Sequence, residues 1–215
     1  MTKIFTFALV AIILLSGCSK KNEDPKPPSV IQSSDLMEDA MVSSYSPTEN
    51  YGTSTKLYTS SWSYSKTGVK ISGFLKFNYS SLKNAKISSA KLTLFADTTS
   101  FWDGSPAPQY GHFVMNKSNL IQIRRVSESW SESSIVYNNK PASETDNMVS
   151  SLAPTSNSQS YTFDVTEIVK DQINLGNNGF EISLSNYTPY ERYAFYSREG
   201  IYPHLRPRIE FEFQK

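Results

Sequence analysis

The sequence predicts an all-β fold, a jelly-roll-type antiparallel β-sandwich with one short helix. Apolar side chains recur at every second position, as in Val69, Ile71, Gly73, Leu75 and Phe77, or Ala90, Leu92, Leu94 and Ala96. That spacing marks half-buried strands rather than helices. The residues between them are mostly Lys, Ser, Thr, Asn and Glu, which suits sheets with one wet face. A single segment departs from the alternation.

The chain opens with Lys3 and an apolar run over residues 4–15, interrupted only by Thr6. About a dozen apolar residues fall short of the roughly 20 that span a bilayer as a helix, but they match the h-region of a signal peptide. Leu15-Ser16-Gly17-Cys18 follows and resembles the bacterial lipobox. Cys18 is the only cysteine, so it has no disulfide partner in the chain. Acylation of its sulfur would remove an exposed thiol and add membrane affinity. Residues 1–17 are therefore expected to be a lipoprotein signal peptide. Cys18 is expected to be the lipid anchor of an envelope protein of the bacterial outer membrane, facing outward. Residues 18–34 carry charge and prolines without apolar periodicity, and read as a flexible tether.

Residues 35–215 read as one domain. Besides the two sets above, alternation appears at Tyr161, Phe163 and Val165, at Phe180, Ile182 and Leu184, and at Ile209, Phe211 and Phe213. Shorter strands are expected over 36–42, 56–60, 120–126, 135–137 and 193–197. About ten strands joined by turn-rich links fit a two-sheet sandwich. The exception runs over 166–176, where Thr166 is placed to cap a helix, Glu167 lies in its first turn and Gly176 ends it. Ile168, Val169, Ile173 and Leu175 would form its apolar face. Residues 98–113 and 140–159 read as long links.

The chain has 21 basic and 20 acidic side chains. Lys3 is the only charged residue before Cys18, so the rest is formally neutral, which argues against a nucleic-acid binder. His112 and His204 show no ligand spacing and no Gly-x-Ser-x-Gly elbow is present, so neither a transition-metal site nor a hydrolase nucleophile is expected. No cofactor is expected either. A structural Ca²⁺ could draw oxygens from Asp35, Glu38 and Asp39, or from Asp97 and Asp103, although such acids more often cap strand ends. Glu128 and Glu132 flank Trp130 and are the best candidates for a carboxylate-based lyase or hydrolase. A packed tryptophan with solvated acids beside it is the simpler reading.

Thirteen Tyr, twelve Phe and three Trp make the chain rich in aromatic residues. Trp62, Tyr64, Phe101, Trp102, Tyr110, Tyr187 and Tyr190 fall in polar or loop segments, where rings can stack on sugar C–H faces or fold back onto the core. Arg192, Arg198, Arg206 and Arg208 fall close together, and guanidinium forks bind carboxylates bidentately. Internal ion pairing, for example of Arg198 with Glu199, is the competing use.

An ordered set of motifs ties these features together. Asn50-Tyr51-Gly52, Phe74-Leu75-Lys76-Phe77 and Ile87-Ser88-Ser89-Ala90-Lys91-Leu92-Thr93-Leu94 are followed by Arg125-Val126-Ser127-Glu128-Ser129-Trp130-Ser131-Glu132 and Tyr137-Asn138-Asn139-Lys140-Pro141. Phe163-Asp164-Val165-Thr166, Asn178-Gly179-Phe180, Phe195-Tyr196-Ser197-Arg198-Glu199 and Pro207-Arg208-Ile209 complete it. The series resembles the DNRLRE domain, also classed as carbohydrate-binding module family 96. The resemblance implies a jelly-roll-type sandwich that binds polysaccharide without catalysis, with acidic glycans such as alginate among the family's ligands. Such modules usually accompany lyases or hydrolases, whereas here the expected domain fills the sequence. The 98–113 loop is also longer than the resemblance leads one to expect. Phe77, Ala90, Leu92, Trp130 and Pro141 read as determinants of the fold rather than of the site. The expected binding residues are Arg192, Arg198 and Arg206 for charged groups, and Trp62, Trp102 and Tyr190 for ring stacking. A structural or adhesive protein that binds another protein is the alternative.

Overall fold

The computed structural model describes residues 30–31, 36–102 and 109–213, with the backbone alone at 30, 31 and 102. Cys18, Asp35, Asp103 and the side chain of Trp102 lie outside the described residues. The strands in chain order are β1 (Val30–Ile31), β2 (Leu36–Ser43), β3 (Lys56–Tyr64), β4 (Thr67–Phe77), β5 (Ile87–Leu94), β6 (Phe101–Trp102) and β7 (Gln109–Tyr110). After them come β8 (Phe113–Val114), β9 (Ile121–Val126), β10 (Ser143–Ser150), β11 (Tyr161–Asp164), β12 (Phe180–Leu184), β13 (Glu191–Tyr196) and β14 (Arg208–Phe213). One α-helix, α1 (Thr166–Leu175), is present among the described residues.

The strands form an antiparallel sandwich. A small sheet runs β1-β14-β5-β11, and a large one runs β10-β9-β12-β4-β3-β13-β8 with β2 also paired to β4. β6 and β7 make a separate two-stranded ribbon. Alternation fills the space between the sheets. Ala90, Leu92, Leu94, Phe163, Ile209 and Phe211 of the small sheet join one buried cluster with Leu75, Phe77, Ile123, Phe180, Ile182, Tyr193 and Phe195 of the large one.

The large sheet is also covered on its other side. Phe74 alternates with Leu75, so it points away from the main core. It packs with Ala40, Val42 and Val126 under Trp130 and Ile135. Trp130 meets Phe74 edge-on at 5.8 Å, and its indole N–H donates to Asn178 O at 2.7 Å. The link over residues 127–139 is therefore a lid on the sheet. Asn50 holds it by donating to Glu132 O and Ile135 O, both at 2.8 Å. Gly52 allows the approach, because a Cβ there would stand 2.4 Å from Glu132 O. Gly179 has φ +85, and a Cβ on it would meet Leu75 O at 2.1 Å, so β12 could not pair with β4 if any other residue stood there.

Every long alternating set forms a strand, but several expectations change. Residues 135–137 do not form a strand: Ile135 plugs the second cluster, and Tyr137–Asn139 is a 3-10 turn. The 140–159 link contains β10, whose polar sequence SETDNMVS leaves it half exposed on the sheet edge beside β9. The 98–113 loop contains β6, β7 and the start of β8. β1 falls within the expected tether and pairs Val30 with Glu210 and Ile31 with Ile209. Helix α1 forms as expected, but Thr166 does not cap it. Asp164 Oδ1 accepts from both Thr166 N and Thr166 Oγ1, while Thr166 Oγ1 accepts from Ala90 N and ties the helix to β5. Ile168 and Val169 are buried, whereas Leu175 is 69% exposed at the frayed end.

Candidate functional site

β13 carries or adjoins most of the expected binding residues, and it directs them to its two ends. Tyr193 and Phe195 face the core, so Arg192 points to the other side of the strand. Arg192 pairs in register with Ser60 of β3 and with Phe113 of β8. Its guanidinium lies 5.4 Å from the ring centre of Tyr58. Burial lowers its pKa from the ordinary arginine value, while Tyr58 and Asp97 act in the opposite direction.

Beside it, Trp62 meets Tyr190 edge-on at 5.1 Å and Phe113 at 5.5 Å. Tyr190 is 43% exposed and has φ +73, an uncommon backbone state for a residue with a Cβ. Near the β3–β4 turn, Tyr45 and Tyr64 form an edge-on pair at 5.1 Å, exposed by 59% and 58%. On neighbouring β4, Lys70 lies 3.9 Å over the ring of Tyr187, whose pKa is raised mainly by burial. Because Lys70 pairs with Ser61 and not with Trp62, this second ring–cation pair lies on the opposite face of the sheet from Trp62 and Arg192. Trp62, Tyr190 and Arg192 are brought together on their own face. Tyr58, Phe113 and Tyr45 join them without any motif having marked them.

Arg198 lies beyond the opposite end of β13, roughly 20 Å away at about 3.3 Å per residue. Its Nη2 contacts Glu132 Oε2 at 2.6 Å, its Nε contacts Glu199 Oε1 at 2.9 Å, and its Nη1 donates to Met37 O. Asp39 completes the cluster. It is 2% exposed, its N–H donates to Glu132 Oε1 at 2.9 Å, and its Oδ2 accepts from Arg198 N at 2.7 Å. Burial pushes its pKa up to about 8, and the charges of Glu199 and Glu132 add to the rise. Glu38 accepts from Glu132 N at 2.9 Å and pairs with Lys76 at 3.2 Å.

Oxygens of Asp39, Glu132 and Glu199 lie within 4.8 Å of one another. This is the carboxylate group among the described residues whose geometry could hold a cation, and Arg198 already supplies a positive charge to it. Of the acids the sequence suggested for calcium, Glu38 is spent on Lys76 and Glu132. Asp97 accepts from Thr99 N and Thr99 Oγ1 and lies 3.5 Å from Lys56. Arg206 sits apart, with Nη2 3.3 Å from Gly200 O. Glu128 Oε2 accepts from Ala142 N at 2.8 Å, so both acids beside Trp130 brace the backbone.

His112 is fully buried. Its Nδ1 accepts from Ala194 N at 3.0 Å, and its Nε2 lies 2.8 Å from Gln159 O. That pairing requires the neutral ring with the proton on Nε2, and burial lowers its pKa to about 4. The histidine therefore locks the base of the 98–113 segment to β13 instead of binding a ligand.

An antiparallel sandwich with aromatic rings and a guanidinium at the rim of one sheet has the surface of a binding module. The model of carbohydrate-binding module family 96 matches residues 30–107 and 110–206. The chain belongs to that family, whose role is carbohydrate binding without catalysis. No curated protein matches the chain.

Proposed function

We propose that this chain is a polysaccharide-binding surface lipoprotein of the bacterial outer membrane, anchored through Cys18, and that it grips acidic glycans at the Trp62–Tyr190–Arg192 end of the large sheet. The observation that carries this reading is the contact of Trp62 with Tyr190, two residue positions along the strands from Arg192 and its partner Ser60. Rings of this kind take the C–H face of a sugar, and a guanidinium beside them suits a uronate carboxylate. Lys70 and Tyr187 repeat this chemistry on the opposite face of the sheet.

Affinity gels containing alginate or a neutral polysaccharide test the site. The parent protein is expected to be retarded by alginate, and a Trp62→Ala, Tyr190→Ala double variant is expected to lose at least tenfold in affinity. Equal retardation of both proteins would overturn the assignment of the site, and free migration in every gel would overturn the glycan reading. Palmitate labelling of cells tests the anchor: label is expected on the parent chain and not on a Cys18→Ser variant, and equal label on both would overturn the anchor. The exposed Tyr45–Tyr64 pair favours a second reading, an envelope scaffold that docks a protein on these rings. Co-purification of one stable partner from membranes, lost on Tyr64→Ala, would support it.

A further inference from the structure

The loop that carries Tyr190 is held at both ends by one turn. Residues 185–190 join β12 to β13, and residues 115–120 join β8 to β9. At the start of the first link, Ser185 N donates to Leu120 O at 2.8 Å, Leu120 N donates to Ser185 Oγ at 2.9 Å, and Asn186 N donates to Asn119 Oδ1 at 3.2 Å. At its end, Asn116 N donates to Glu191 Oε1 at 2.5 Å. Within the loop, Asn186 Oδ1 accepts from Thr188 N at 3.0 Å and from Thr188 Oγ1 at 2.6 Å, a local turn that fixes the path between the two holds.

Glu191 is the unusual member of this arrangement. It is fully buried, which a carboxyl group rarely is. Its Oε2 is enclosed as well and has no hydrogen-bond partner among the described residues. Its main chain is pinned too, because Glu191 O accepts from Ser60 Oγ at 2.8 Å and the residue pairs in register with Ser61 of β3 and Val114 of β8. A leucine at 191 would fill the space without burying an unpaired oxygen, but it would release Asn116 N and the turn with it. Burying a polar atom without a partner costs stability, so packing alone does not account for the acid.

The residue before Glu191 carries a second cost. Tyr190 has φ +73, and a residue with a Cβ stays in that state only where its surroundings impose it. Both costs fall on adjacent residues, at the point where Tyr190 meets Trp62 edge-on at 5.1 Å. The hold on residue 191 is what imposes the backbone state of residue 190.

We propose that Glu191 is a positioning residue of the glycan surface: by holding the 115–120 turn against the end of the Tyr190 loop, its carboxyl group keeps the Tyr190 ring against Trp62. The inference rests on the reading of this rim as the glycan site. Rings fixed before a sugar arrives lose less freedom on binding, so loosening the hold weakens binding without removing any contact to the ligand.

The test uses the full chain in alginate affinity gels, with urea unfolding of the same samples. Glu191→Ala is expected to lose at least fivefold in affinity, whereas Glu191→Gln, which keeps an acceptor oxygen for Asn116 N, stays within twofold of the parent. Should Glu191→Ala fail to fold, Glu191→Leu takes its place with the same expected loss. A double-mutant cycle separates positioning from general destabilisation. Once Tyr190→Ala has removed the ring, the Glu191 change should cost less than a further twofold. An equal loss with and without the Tyr190 ring would overturn the positioning role and leave the glycan reading intact, as would parent-like retardation of Glu191→Ala. Free migration of the parent would remove the glycan reading itself, and the positioning role with it.

Discussion

The two ends of β13 use the same residue type for opposite purposes. Arg192 lies against the ring of Tyr58, next to Trp62 and Tyr190 at the rim of the sheet. Arg198 is consumed by Glu132, Glu199 and a main-chain oxygen, and so joins β2, the 127–139 lid and the end of β13. One arginine lies among aromatic rings, and the other closes the sandwich. The difference comes from the carboxylates each meets. Asp39 and Glu132 from distant parts of the chain join the adjacent Glu199 around Arg198, while Arg192 faces rings with Asp97 as the nearby acid.

Arg198→Ala is the strongest way to break the comparison. It leaves Asp39, Glu132 and Glu199 facing each other without their cation, and removing one partner of a buried pair costs about 3–5 kcal/mol. The Arg198 side chain is 30% exposed, so solvent screening reduces this to roughly 2–3 kcal/mol. Urea unfolding is expected to show a lower midpoint with an unchanged slope, and the folded variant should bind glycan like the parent. A loss of binding at full stability would place Arg198 in the site after all.

Trp62→Ala should behave in the opposite manner. A tenfold loss of affinity corresponds to about 1.4 kcal/mol, with a smaller change in stability because the indole is only half-buried. Isothermal titration and unfolding on the same samples separate the two effects.

A pH series sharpens the contrast further. Asp39 is raised to about 8 in the folded state from an unfolded value of 3.8. The native state therefore holds a proton that the unfolded chain releases between those values. Its contribution to stability is full below pH 4, declines as pH rises from 4 to 8, and is gone above 8. Glu191, pushed up mainly by burial to about 7, acts in the same direction. His112 does the reverse: its pKa falls from 6.5 to about 4, so its contribution is full above pH 6.5 and is lost as pH falls toward 4. Thermal melts should show Asp39→Asn flattening the alkaline limb and leaving the acid limb in place. An alkaline limb as steep as the parent's would mean that Asp39 is ionised in the native state.

Arg206→Ala should have the smallest effect. A single 3.3 Å contact to Gly200 O is worth about 0.5–1 kcal/mol, and glycan affinity should not change.

How much of this was legible in the sequence depended on the range of the interaction. Leu75, Phe77, Leu92 and Phe211 announced their strands because burial on one face imposes a period of two, whatever the partner strand. β10 escaped, since SETDNMVS is stabilised by its edge pairing with β9 and by partial packing of Val149 rather than by a buried face. Ile135 and Tyr137 carried strand-forming residues but serve a lid, because Asn50 and the second cluster override local preference. At the site, the aromatic wealth was plain, whereas the clustering of arginines in sequence did not carry over into space. Residues 192 and 198 are near neighbours along the chain but occupy the two ends of an extended segment.

Local pattern and ordered motifs were enough for the alternation, the two-sheet core, the helix over 166–175 and membership of a carbohydrate-binding family. Which arginine meets rings and which meets carboxylates follows from long-range packing alone. The same packing makes Glu132 brace Asp39 and Glu191 hold the 115–120 turn. Those contacts join residues 66 to 161 positions apart. The charge, burial and hydrogen bonds of each group depend on what the folded chain places beside it, and no local spacing encodes that.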